Sequence, residues 1–362
     1  MVERDLAKVD VAGSSPVSRS ILFCMELQNQ SFDVFQRFSG ILRLLESLEM
    51  REGSSLLDVG GYPGALADYI KESFRGAKVI TLDRPVCPRE SYISGSAESL
   101  PFADSSFDAV LSSDTIEHLA PEQRISSIKE TLRVSKRWVV IGAPFKNPCV
   151  DFAEEKISTL YQKCFKKSHP WLSEHITNRL PERRFIQKML EDSSAAVGVY
   201  PNGSVASWFI LEAVQILLDS FPMLSRFRQD LSRSFNAFWA ASDDKEPAYR
   251  HILVADKTGE LPSALPPPPP ATSEKEEDVL KRLESLYSLA DEISGEILSL
   301  LSDPAASTKM LTEQYIRQME EVLAFQEKEQ EKLNQEVADQ KKYLDRLNSS
   351  YLFRLLRKFG LF

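Results

Sequence analysis

Apolar and polar positions alternate along this chain in several distinct rhythms. Residues 1–20 are polar, show no repeating apolar face, and read as a disordered N-terminus. From Ile21 to Met50, residues Phe35, Phe38, Ile41, Leu42, Leu45 and Leu48 recur at helical spacing, which predicts helices leading into a domain. Short runs rich in β-branched residues follow: SSLLDV, KVITLD, FDAVLSS and RWVVIGAP, separated by segments long enough for helices. Strands alternating with helices predict a mostly parallel, doubly wound Rossmann-like α/β sheet. Residues 145–250 prolong the domain as a helical insertion, with helices near 152–167, 181–192 and 204–219 and a strand candidate at AAVGVYP. HILVADK (251–257) reads as a closing strand, so the domain is expected to span 21–260.

Beyond it the pattern changes twice. Residues 261–273 contain five consecutive prolines, a stiff polyproline II linker. Val279, Leu283, Leu286, Ala290, Ile293, Ile297 and Leu300 then step by four and three, and after Pro304 a second seam runs from Ile316 to Leu347. This spacing predicts a C-terminal coiled coil over 274–350 and self-association through it. The final stretch, 351–362, mixes Tyr351, Phe353, Leu355, Leu356 and Phe359 with Arg354, Arg357 and Lys358. A basic amphipathic tail of this kind can lie on an anionic membrane surface or dock on protein.

Composition narrows the class. The net charge of −9 gives no reason to expect nucleic acid as a partner. The four cysteines include no CxxC pair, which argues against a zinc or redox motif and fits a reducing compartment. No run approaches 18 apolar residues and the N-terminus lacks an apolar signal core, so a cytoplasmic protein is expected, with peripheral membrane contact through the tail.

The chemistry concentrates in LLDVGGYPG, where a strand delivers Asp58 to a turn built on Gly60, Gly61 and Gly64. Such turns bind ligands at the carboxyl ends of parallel strands. Asp83 ends the second strand, 25 residues after Asp58, where a carboxylate can accept hydrogen bonds from a ribose diol. The sequence GGYPGA departs from the G-x-G-x-x-G of nicotinamide dehydrogenases.

Residues 54–144 resemble the core of class I S-adenosylmethionine-dependent methyltransferases, in the broad group that includes ubiquinone-pathway enzymes. The resemblance rests on LLDVGGYPG, ITLDRP, VVIGAP and above all AESLPFADSSFDAV. It implies S-adenosylmethionine as cofactor, with Asp58, Gly60 and Gly64 beside its methionine part and Asp83 at the ribose. Ala97 and Glu98 would lie near the adenine, and Ser113 and Asp114 would floor the site by the methyl group. Two positions depart from the group's pattern: Tyr62 replaces the middle glycine of D-x-G-x-G-x-G, and Ser96 stands where Asp is common.

For the acceptor, DTIEH sets Asp114, Glu117 and His118 at i, i+3 and i+4, one face of a helix expected after the fourth strand. Some O-methyltransferases hold a divalent metal on a similar E-x-x-E-H face. Here Asp replaces the first Glu and a further ligand would have to come from His169, His175 or elsewhere, so no metal is assigned. His118, Asp114 and His175 are the candidate catalytic or substrate-contacting residues; His118 packing at the pocket rim is the plainer alternative. Lys146–Lys188 holds nine Lys/Arg against five Asp/Glu, which suggests a basic lid over an anionic acceptor or an ordinary solvated surface. Trp171, Trp208 and Trp239 could stack on rings or belong to the core. The arrangement of head, linker, stalk and basic tail resembles that of methyltransferases of bacterial polysaccharide assembly. O-methylation of a glycan, lipid-linked saccharide or other envelope intermediate is therefore expected; a quinone-like metabolite methyltransferase or an inactive scaffold are the alternatives.

Overall fold

The computed structural model describes residues 26–266, apart from 49, 51, 194, 222 and 223, together with 275–302 and the single positions 328, 335, 338 and 342. The expected N-terminal segment 1–20, the proline run after Pro266, the second seam and the basic tail lie outside the described residues.

Helix α1 (Phe32–Glu46) starts at Ser31, whose side chain accepts from the Val34 N–H. Strand β1 (Ser55–Val59) leads through the glycine turn into α2 (Ala65–Ser73). Then come β2 (Lys78–Asp83), β3 (Tyr92–Ser94), β4 (Phe107–Ser113), α3 (Pro121–Val134) and β5 (Ser135–Pro144). Helices α4 (Pro148–Phe165), α5 (Leu172–Asn178) and α6 (Arg183–Glu191) precede β6 (Ala196–Ser204). Helices α7 (Val205–Asp219) and α8 (Ser225–Phe238) separate β6 from β7 (Ala248–Asp256), and α9 spans Glu276–Ser302.

The sheet order is β3-β2-β1-β4-β5-β7-β6. The first five strands are parallel, and β7 inserts antiparallel between β5 and β6. Chain order reverses between β1 and β4, where a doubly wound sheet opens a crevice at its carboxyl edge. The two faces are filled by alternate residues of each strand. Val140 joins Ile41 and Leu45 of α1 and Ile70 of α2 on one side, while Val139 and Ile141 join Ile128 of α3 and Ile186 of α6 on the other. All nine residues of β7 are buried, as an interior strand requires. The expected strand at 195–201 is the start of β6, so the segment between β5 and β7 is not wholly helical.

One compact unit extends through Ser294 and a second begins at Gly295. The first heptad seam is already covered within the first unit: Val279 and Leu283 are buried. The start of α9 lies along α4, with Lys163 Nζ bonded to Asp291 Oδ1 at 2.6 Å and Lys156 over the Tyr287 ring at 5.5 Å. An apolar stripe needs a partner but does not specify which. No helix among the described residues is long and apolar enough to cross a membrane.

Candidate active site

A cleft of about 960 Å³ opens at the carboxyl ends of β1, β2 and β4. One side of it is built by the turn after β1. Gly60 has φ +79°, the left-handed region, and a Cβ there would stand 2.2 Å from Thr115 Oγ1. At Gly61 a Cβ would fall 1.9 Å from Asp58 Oδ2. The turn therefore presents bare backbone to the cleft, the cradle a closely bound ligand needs. Asp58 is fully buried and neither carboxylate oxygen has a partner. Burial raises its pKa from an ordinary 3.8 to about 7; Arg37 opposes this and Asp83 adds to it. Asp83 holds Oδ2 on the Tyr62 N–H at 3.1 Å and Oδ1 on the Arg84 N–H at 2.7 Å, at the lip of the cleft.

Gly61, Ala97 and Ser113 line the cleft as expected, together with Asp58, Gly60, Asp83, Asp114, His118 and His175. Gly64 and Glu98 do not. Gly64 precedes α2 and borders a smaller depression beside Arg89. Glu98 Oε1 is held by Arg84 Nη2 at 2.9 Å and Gln123 Nε2 at 2.8 Å, turned away from the cleft.

DTIEH does not form the expected helix face. Residues 114–120 are a bend and turns, and α3 begins only at Pro121, which suits a first helical position but not a helix interior. Asp114 has φ +46° and is clamped by two arginines: Arg37 Nη1 at 3.0 Å and Arg250 Nε at 2.9 Å. Burial alone would raise its carboxyl, but the Arg250 and Arg37 charges prevail and hold it below the usual range. The Asp33 carboxylate completes the clamp, 2.7 Å from Arg250 Nη2.

Glu117 and His118 instead converge with His175 of α5, one donor atom of each lying within 4.8 Å of the others. Arg124 of α3 fixes this meeting. It donates to the Ile116 and Glu117 carbonyls at 2.8 and 3.2 Å and to the carbonyls of Asn178 and Arg179. Asn178 in turn donates to the His118 carbonyl at 2.8 Å. Burial, then the nearby Asp114, pushes the Glu117 carboxyl well above its ordinary pKa. Burial, then His175, lowers that of His118. His169 caps α5, its Nδ1 accepting from the Trp171 and Leu172 N–H groups, and so leaves the cluster to His175.

Sequence reasoning missed Arg37, Arg250, Glu154 and Glu212. For Glu154 a signal existed: it occupies the buried stripe of α4 with Val150, Ile157 and Leu160, where an apolar residue is the rule. The anticipated basic lid is not at the cleft. Lys146, Lys156, Lys163 and Lys188 pair with acidic neighbours, and the cleft residues contributed by Lys146–Lys188 include no Lys or Arg. Of the tryptophans, Trp171 stands 63% exposed at the cleft, Trp208 is buried in its wall and stacks on Tyr249 at 3.8 Å, and Trp239 lies elsewhere.

The Asp58 environment is expected to make cofactor affinity pH-dependent. An acid whose folded pKa exceeds its unfolded value keeps its proton in the folded state between about 4 and 7, and folding stability contributed there falls as pH rises. A cationic ligand favours the ionised form. Affinity for S-adenosylmethionine is therefore expected to rise with pH up to about 7 and level off above it, with the trend flattened in Asp58→Asn. Titration calorimetry from pH 5.5 to 8.5 checks this, and equal slopes in both proteins would contradict it.

Residues 57–139 match the family described as a methyltransferase domain. An uncharacterized methyltransferase from Mycolicibacterium vanbaalenii is 36% identical over 101 residues, 24% of this chain and 37% of that protein. One from Synechocystis is 33% identical over 101 residues, covering 25% and 47%. The chain thus spans less than half the length of these curated relatives. Among solved structures, magnesium protoporphyrin IX methyltransferase from Synechocystis with bound S-adenosylhomocysteine is similar at 14% identity and a TM-score of 0.39, over 61% of this chain and 82% of that one. Over residues 57–139 the chain thus matches a methyltransferase domain, and the cofactor indicated is S-adenosylmethionine.

Proposed function

We propose that the chain transfers a methyl group from S-adenosylmethionine to a hydroxyl oxygen of a saccharide-type acceptor. The observation that carries this reading is the chamber beyond the glycine turn, walled by Asp33, Arg37, Glu212, Gln215, Tyr249 and Arg250. Hydrogen-bonding side chains beside the aromatic Trp208 suit a ring bearing several hydroxyls; a quinone-like acceptor needs an apolar wall instead. Arg37 and Arg250 already face Asp33 and Asp114, so their charges are balanced before any acceptor enters. Burial, then Asp33, raises the Glu212 carboxyl to about 8, leaving it protonated and able to donate near neutral pH. That balance favours a neutral polyhydroxyl acceptor over a strongly anionic one.

S-adenosylmethionine supplies an electrophilic methyl on a sulfonium sulfur. The acceptor oxygen gains that methyl as the carbon–sulfur bond breaks, and the hydroxyl proton leaves. Alcohols are poor nucleophiles unless that proton is removed or the oxygen is polarised. Glu117, His118 and His175 are the groups placed to lower this barrier. A lipid-linked or envelope-bound form of the saccharide is part of the proposal, supported by the chain's proline-rich linker and basic apolar tail.

The test is to incubate the full chain with methyl-labelled S-adenosylmethionine and fractionated envelope material. Base-stable label, as in a methyl ether, is expected in the saccharide and lipid-linked saccharide fractions. Label confined to quinone extracts would support the metabolite reading. No label together with no cofactor binding would support a scaffold.

A further inference from the structure

Glu117, His118 and His175 are arranged as a set of ligands more than as a set of acids and bases. Glu117 is 1% exposed, and both its carboxylate oxygens lack a hydrogen-bond partner. His175 is 5% exposed, and its Nε2 is likewise buried and unpartnered. Leaving buried polar atoms unsatisfied is costly. Three of these atoms, from Glu117 and His175, belong to one cluster with His118.

The other side of each imidazole is tied down in the same way. His175 Nδ1 lies 2.9 Å from Glu154 Oε1, which also accepts from the Tyr249 hydroxyl at 2.9 Å. His118 Nδ1 lies 2.8 Å from Glu174 Oε2. A carboxylate on Nδ1 draws the ring proton to that nitrogen and leaves Nε2 as a lone pair. It also fixes the ring and raises the basicity of Nε2, which is how metal-ligating histidines are supported. The two rings sit 4.7 Å apart between centroids. Two imidazoles this close, each backed by its own carboxylate and facing a third buried carboxylate, are the surroundings of a shared cation.

We propose that Glu117, His118 and His175 bind one divalent first-row transition cation at the floor of the acceptor chamber. Two imidazole nitrogens and one carboxylate suit Mn²⁺, Fe²⁺, Co²⁺ or Zn²⁺ better than the all-oxygen preference of Ca²⁺ or Mg²⁺. Three protein ligands leave coordination positions open, the arrangement of a reactive site and not of a closed structural one. Asp114 is not a ligand, because Arg37 and Arg250 hold its carboxylate. Glu154 and Glu174 are positioning residues, acting through the imidazoles. The cation's part in methyl transfer, polarising an acceptor oxygen, rests on the activity proposed above; its binding does not.

The test uses the full chain stripped with chelator and titrated with Co²⁺ alone, followed by visible absorption and by calorimetry. One equivalent is expected, with ligand-field bands of a nitrogen–oxygen site. Glu117→Gln and His118→Ala should each weaken binding by more than the roughly tenfold expected for Glu154→Gln, whose loss frees the His175 ring. S-adenosylmethionine binding by each variant reports that its fold is intact. Absence of a Co²⁺ site in a chain that binds S-adenosylmethionine would overturn the proposal, as would undiminished Co²⁺ binding in Glu117→Gln and His118→Ala. Co²⁺ bound by these residues without any methyl transfer would uphold the cation site and count against the activity. Methyl transfer undiminished in a chain that binds no Co²⁺ would do the reverse.

Discussion

Replacing Arg250 with methionine is expected to lower the stability of the fold by about 3 kcal/mol, because breaking a buried ion pair strands its partners. The guanidinium bridges Asp33 at the start of α1 and Asp114 after β4, and its side chain is only 6% exposed. The estimate takes the lower end of the usual cost of about 3–5 kcal/mol for two reasons. Asp114 keeps Arg37 as a partner at 3.0 Å, and Asp33 retains a quarter of its side-chain surface in water, at 24%. Urea unfolding measures the loss as a lowered midpoint. Asp33→Asn in the same background should restore part of it by removing the stranded charge, whereas two additive losses would contradict the clamp.

The second large effect is local to the cofactor. Gly61→Ala should reduce affinity for S-adenosylmethionine by about 30-fold or more, on the order of 2 kcal/mol, the usual range for forcing atoms into a filled space. The new methyl would stand 1.9 Å from Asp58 Oδ2, so either the turn or the buried carboxylate must move. Both line the cleft. Gly53 supplies the control, since nothing lies within 4 Å of a Cβ there. Its φ of +82° will tax stability but should leave affinity unchanged.

The sequence was most readable where one physical rule dominated. Runs such as LLDV and VVIGAP could only be buried strands, and the residues at their carboxyl ends could only face the crevice. Asp58, Gly60, Gly61 and Asp83 follow from that placement, and the structure brings them together. Reading failed where two rules competed. The i, i+3, i+4 spacing of Asp114, Glu117 and His118 suggested a helix face, but Pro121 starts the helix later and the segment turns. Two of the three still meet a common partner, because a turn can aim adjacent side chains where a helix could not. The first heptad seam predicts self-association, and Val279 and Leu283 of that stripe are already buried within the chain. Periodicity reveals that a face must be buried and says nothing of where.

Long-range pairs were the least readable. Arg37 and Arg250 lie 77 and 136 residues from Asp114, and Glu154 lies 95 residues from Tyr249. No local pattern announces such a meeting. Only a charged residue in an otherwise apolar stripe, as Glu154 is on α4, hints that one must exist.

The cleft at the β1 and β2 edge is expected to hold S-adenosylmethionine through the glycine turn and Asp83. Titration calorimetry of the purified full chain measures it directly. One binding site per chain is predicted for the wild type, with S-adenosylhomocysteine competing for it. Asp83→Ala is predicted to lose about 1.5–3 kcal/mol of affinity, roughly 10- to 150-fold, the value of a hydrogen bond to a charged group. No binding by the wild type, or wild-type affinity in Asp83→Ala, would contradict the account.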